Sequence, residues 1–246
     1  MKRVLFWVMM TFFAAPLFAQ EDMQLLGGGV VISQSPYRGV GTTAQPVPIA
    51  KLESHGFYVK GVEAGYVFYD RDTLRARVLV APRFMGYSSD DSTALNGMED
   101  REMSFDGGLG LDYDLPFLPG ITLGTRVSQD ISSRHDGTEV QMAFSHEFSS
   151  KYFRLTPSVG ARFQSGDMID YYYGVLPGET RADRAAYAPE GALNYFGDVT
   201  FAFGIHRRVI VLTRLGVERL DSEIRKSPIV DEDILVNGVV GVTWRF

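Results

Sequence analysis

The segment 234–246 alternates with a period of two. Ile234, Val236, Gly238, Val240, Val242, Trp244 and Phe246 fall on one side, while Asn237, Gly241, Thr243 and Arg245 fall on the other. This pattern makes a strand with one apolar face; a helix would repeat its apolar positions about every 3.6 residues. The aromatic residues gather at the end of the segment and the chain stops on Phe246, as expected of a closing strand whose aromatic girdle marks a membrane interface. The rest of the chain must then supply the other strands of a barrel.

The N-terminus agrees with an exported protein. Lys2 and Arg3 form a positive n-region, residues 4–13 an apolar core, and Leu17, Phe18 and Ala19 a cleavage site, so 1–19 reads as a signal peptide and 20–246 as the mature domain. That core is too short to span a bilayer as a helix, and no later stretch approaches the roughly 18 apolar residues a transmembrane helix needs. The chain has no cysteine, which excludes disulfides, a lipid-anchored cysteine and thiolate metal sites. A net charge of −6 argues against nucleic acid as a partner. The 45% hydrophobic content is ordinary, because a barrel alternates its apolar residues instead of clustering them.

Alternation recurs along the chain. Leu74, Val78 and Val80 oppose Arg75, Arg77 and Arg83; Phe105, Leu109 and Leu111 oppose Asp106, Asp112 and Asp114. Val127 opposes Arg126, and Val140, Met142 and Phe144 oppose Glu139 and Gln141. Further on, Phe153, Leu155, Val159 and Phe163 oppose Arg154 and Arg162, Val199 and Phe201 oppose Asp198, and Leu215 and Val217 oppose Arg214 and Glu218. Most runs are long enough for a tilted membrane strand, which needs about 9–11 residues, against about 5–6 in soluble sandwiches.

Connections alternate between short (71–72, 116–120, 149–150, and around His206 and Arg207) and longer polar ones (34–45, 88–101, 132–136, 165–189 and 221–233). By the barrel rule the long set faces outward, and both termini face the periplasm. The expected fold is an all-β, transmembrane, antiparallel up-and-down barrel closed by the C-terminal strand. Twelve strands result if 46–70 holds a short pair plus one further strand; ten is the alternative.

The lumen candidates are Arg75, Arg77, Arg83, Asp106, Asp112, Arg126, Glu139, Arg154, Arg162, Asp198, Arg214 and Glu218. Opposite charges on neighbouring strands can pair into a polar plug, since a small barrel is normally filled by side chains. The other reading is a narrow, charge-lined solute path. Four histidines are present, at 55, 135, 146 and 206. His146 is expected on the lipid-facing side, away from Ser145 and Glu147, because adjacent strand residues point in opposite directions. His135 and Asp136 fall in a loop tip, where Arg134 to Gly137 reads first as a turn and only secondarily as a water-activating pair. No metal-ligand spacing and no cofactor motif stands out, and no catalytic set is expected.

The most distinctive connection carries Asp170 followed by Tyr171, Tyr172, Tyr173, Gly174 and Val175. It is expected either to anchor the rim at the headgroup layer or to form a contact surface. Trp244 and Phe246 are the expected assembly signal for the barrel assembly machinery, with outer-membrane lipid as the surrounding partner.

Four segments resemble the MipA/OmpV family of outer-membrane proteins, in its order. They are Arg134, His135, Asp136 and Gly137; Thr156, Pro157, Ser158, Val159 and Gly160; Asp170 to Val175; and Asp221 through Ser227, Pro228, Ile229, Val230 and Asp231. The resemblance covers essentially the whole mature chain. It implies the cell outer membrane of a Gram-negative bacterium and a non-enzymatic scaffold joining a lytic transglycosylase to a murein synthase. Other members are linked to adhesion, osmotic response or antibiotic uptake, so a surface adhesin or small-solute channel is the alternative. A scaffold for periplasmic enzymes must use the periplasmic side, where this sequence places only tight turns.

Overall fold

The computed structural model describes residues 24–150 and 152–246. The expected signal peptide, 1–19, lies outside the described residues. The chain forms β1 (Leu25–Ser33), β2 (Thr43–Ser54), β3 (Phe57–Lys60), β4 (Glu63–Arg71) and β5 (Leu74–Arg83). Next come β6 (Ser104–Asp114), β7 (Ile121–Asp130), β8 (Thr138–His146), β9 (Phe148–Ser149) and β10 (Phe153–Gln164). Helix α1 (Gly166–Tyr173) precedes β11 (Ala192–His206) and β12 (Val209–Arg219), and α2 (Ser222–Arg225) precedes β13 (Ile234–Arg245).

Strands pair antiparallel with their neighbours, and β13 closes the ring against β1 from Leu25↔Arg245 to Ser33↔Asn237. β9 is two residues long and shares β10 as partner with β8. Counting β8 and β9 as one interrupted wall position gives a closed twelve-strand barrel. The ring runs unbroken through β3 and β4, which matters because a bilayer offers no water to satisfy a free strand edge; above that short pair, part of the β2 edge lacks a second strand.

Alternation sets which side chains face lipid. On β13, Val236, Val240, Val242 and Trp244 are about half exposed, while Leu235, Val239 and Thr243 are buried. Phe57, Phe148, Trp244 and Phe246 are exposed toward the end carrying the tight turns. The β2–β3 turn places His55 at φ 52° and Gly56 at φ 84°, the pair of positive values a two-residue hairpin turn requires.

The front of the chain differs from the sequence reading in one respect. The pair within 46–70 is unequal: β2 is a full twelve-residue strand starting at Thr43, and β3 has only four residues. Pro46 and Pro48 do not break β2, because it pairs with β1 through Val30↔Pro46 and Gly28↔Pro48.

The long loops fold into a cap over the outer mouth. Its core brings together Tyr37, Met85, Tyr87, Leu95, Met168, Ile169, Tyr172, Tyr173, Ile224 and Ile229, all buried. Met168, Ile169, Tyr172 and Tyr173 fall on one face of α1, and that face is the floor of the cap.

Candidate functional site

Two layers of buried charge cross the lumen beneath the cap. In the upper layer Arg83 on β5 donates through Nε to Asp106 on β6 at 2.9 Å and through Nη1 to Glu139 on β8 at 2.9 Å. Glu139 also accepts from Gln164 at 3.1 Å and faces Arg162 Nε at 3.6 Å. Arg162 Nη1 then reaches Glu218 on β12, which accepts in addition from Asn194 at 2.9 Å. The chain of contacts thus runs from β5 to β12 without an uncompensated ion.

The lower layer centres on Glu63. It accepts from Tyr58 at 2.7 Å and from Arg126 at 2.9 Å, and it faces Arg77 at 3.8 Å. Arg77 also pairs with Asp112. On the opposite wall Arg214 meets Asp198 at 3.1 Å and Ser158 donates to the same carboxylate at 2.7 Å. Arg154 pairs with Glu147 at 2.9 Å, and half-buried Arg75 lies 3.7 Å from Glu53 and 3.5 Å from Asp70. Burying isolated charges in this interior would cost several kcal/mol per ion, roughly, so mutual pairing is what makes the arrangement stable.

Glu63, Tyr58, Gln164 and Asn194 were not among the sequence candidates. Glu63 is hard to place because β4 slips register against β5 between Val67 and Tyr69, which breaks the period of two. Gln164 and Asn194 carry no charge to flag them, yet each joins two strands.

The tyrosine segment is not an outward-facing loop. Tyr172 and Tyr173 are fully buried in α1, and Val175 is buried in a bridge with Tyr187. Gly174 ends the helix, its N–H donating to the Asp170 carbonyl at 2.8 Å. Tyr171 is the partly buried member, and its carbonyl accepts from Arg101 at 2.7 Å. The contact-surface reading fails for Tyr172, Tyr173 and Val175 because the other loops fold over them, which local sequence does not reveal. Ser227 ties the β12–β13 loop to α1 by donating to the Tyr173 carbonyl at 2.6 Å. Arg101 also holds Glu179 at 3.1 Å, and Arg184 donates to the Ala94 carbonyl at 2.6 Å. Burial raises the phenol pKa of Tyr37, Tyr87, Tyr172 and Tyr173 above the ordinary value.

His135 is buried too, contrary to a loop tip. Its Nδ1 accepts from the Gly137 N–H at 3.0 Å, its ring lies 5.5 Å from that of Tyr172, and its Nε2 is 3.8 Å from Asp106. Asp106, Asp130 and His135 have potential ligand atoms within 4.8 Å of one another. The two carboxylates are already engaged: Asp130 accepts from the N–H groups of Ser132, Arg134, His135 and Asp136, and Asp106 holds Arg83, while the buried His135 Nε2 has no hydrogen-bond partner among the described residues. Asp130 thereby fixes the β7–β8 loop, and His135 packs it against Tyr172 of α1.

The sequence model of the family described as MltA-interacting protein MipA matches residues 26–246. The putative outer membrane protein YiaT of Escherichia coli is 24% identical over 239 residues, covering 95% of this chain and 96% of that protein. The MltA-interacting protein of Escherichia coli is 24% identical over 224 residues, covering 90% and 89%. The outer membrane protein OmpV of Vibrio cholerae is 31% identical over 147 residues, covering 60% and 56%. The chain, a closed barrel with a lipid-facing apolar surface, therefore belongs to the MipA family and is an outer-membrane β-barrel protein of the Gram-negative type.

Proposed function

We propose that the protein is a non-enzymatic contact protein that holds a periplasmic lytic transglycosylase at the inner face of the outer membrane. The observation that carries this reading is the contrast between the two ends of the barrel. The outer end is closed by a packed cap, whereas the inner end presents exposed apolar tips: Phe117 at 74%, Tyr152 at 62% and Leu118 at 46% exposure. Phe117 and Leu118 lie in the 115–120 turn, beyond the end of β6, where hydrogen bonds from Leu118 to Leu115 and from Leu115 to Ile121 hold the loop in shape. A fixed aromatic tip gives contact area at little entropic cost. The family description, which names an interaction with MltA for its members, supports the same partner class. A murein synthase would join through the recruited enzyme.

Binding of a purified periplasmic lytic transglycosylase to the barrel in nanodiscs tests the proposal. Phe117→Asp, Leu118→Asp and Tyr152→Asp together should weaken binding by about tenfold or more, as loss of aromatic anchors does. Unchanged binding in that variant, or loss of binding only when cap residues are altered, would overturn it.

A further inference from the structure

The barrel wall is incomplete in one place. β2 pairs with β3 only from Lys51 to Ser54, and among the described residues no strand pairs with that edge from Thr43 to Ile49. On the other side β4 begins to pair with β5 at Ala64↔Val80, which leaves Ala81, Pro82 and Arg83 paired with β6 alone. The Gly61 N–H reaches the Ala50 carbonyl at 2.7 Å, so the β3–β4 turn forms the floor of a gap between β2 and β5.

Prolines line this gap. Ala50 turns its carbonyl to the β3 side, so β2 residues of the same parity, Ala44, Pro46 and Pro48, turn their backbone groups to the open edge. Two of those three positions have no N–H to leave unpaired. Pro82 stands in the matching stretch of the opposite lip. These residues discourage addition of another strand, which makes the gap a feature of the wall and not a site for edge-to-edge association.

Outside the gap is lipid. Its lips adjoin Ile32 and Val30, paired with Ala44 and Pro46, and Val80 and Phe105 on the far side; all four are exposed on the outer face. Below it the wall carries an open groove of about 600 Å³ lined by Leu52, Phe57, Val59, Ala64, Tyr66 and Val78. Behind it lies an apolar patch of Val31 and Val239, with Val47, Ile49 and Phe84 packed against them. Ile49 lies over Gly29 and Gly241, where an added Cβ would collide with its side chain. Phe84 directly follows β5, so it reaches from one lip to a cluster built on the other.

We propose that the gap is a lateral port in which one acyl chain of a surrounding membrane lipid displaces Phe84 and lies against Val31, Val47, Ile49 and Val239. Hydrocarbon adjoins both lips, the groove below leads to them, and the surface inside is apolar.

The test reconstitutes the full barrel in phosphatidylethanolamine and phosphatidylglycerol vesicles carrying a phosphatidylethanolamine with a diazirine in one acyl chain. Photolysis followed by peptide mapping should place adducts on inward-facing Val31, Val47 or Ile49 as well as on outward-facing Val30. Phe84→Ala should raise the inward adducts several-fold relative to the outward ones, and Val47→Trp should remove them, with heat-modifiable migration unchanged in both. If Phe84→Ala does not fold, Phe84→Leu takes its place with a smaller rise. Adducts confined to outward-facing residues in the parent and in the Phe84 variant would overturn the port. Inward adducts from a free diazirine fatty acid but none from the phospholipid would overturn the assignment to membrane lipid.

Discussion

Arg162 Nη1 donates to both carboxylate oxygens of Glu218, at 3.0 and 2.9 Å, although β11 lies between the strands that carry them. Asn194 on β11 donates to the same carboxylate, so three consecutive strands are fixed by one buried cluster. All three side chains are buried, which decides the energetics: a lone charge left there has no water to turn to.

Glu218→Gln should therefore destabilise the barrel by about 3–5 kcal/mol, the range for leaving a buried charge unpaired. Arg162→Met together with Glu218→Met should recover much of that loss. Urea unfolding in lipid vesicles, followed by loss of heat-modifiable migration, measures both. Equal stability of the single variant and the parent would contradict a closed, paired lumen.

The cap should open in alkali. Tyr37, Tyr87, Tyr172 and Tyr173 lie in loops or α1, outside the strands, and burial holds each phenol above its ordinary pKa. The folded cap thus keeps protons that an unfolded loop releases at about pH 10, so the stabilisation is complete below that pH and lost as pH rises toward the native values. Tyrosinate absorbance should show Tyr37, Tyr87, Tyr172 and Tyr173 ionising late and together, with the cap loops becoming protease-sensitive in the same step. Ionisation of these four near pH 10, one by one, would contradict the packed cap.

The closing strand should govern assembly. Trp244 pairs with Leu26 on one side and Val209 on the other, and the Phe246 N–H reaches the Gln24 carbonyl at 3.3 Å, so these residues sit at the seam where the ring closes. Trp244→Ala with Phe246→Ala should reduce the heat-modifiable, outer-membrane fraction in cells. A double variant assembled at the parent level would contradict that role.

The wall was legible because most strands keep a period of two, and long runs such as the one ending at Trp244 repeat it many times. The paired charges were legible for the same reason: Arg77 and Asp112 share the inward parity of adjacent strands. What the sequence hid depends on neighbours distant along the chain. The spacing of Met168, Ile169, Tyr172 and Tyr173 is helical, but α1 has only eight residues, and its burial comes from loops as distant as Tyr37 and Ile229. The tolerance of Pro46 and Pro48 inside β2 rests on an edge that β3 fails to cover, which nothing in the local sequence shows. The bulge in β4 concealed Glu63 by interrupting the alternation that exposes such residues elsewhere.

Planar-bilayer recording of the purified parent protein tests the central claim, that the barrel is capped and internally paired and so works by contact instead of conduction. The structure predicts a flat baseline, broken at most by brief events, at neutral pH. Steady, reproducible ohmic conductance from the parent would contradict it and favour a solute channel.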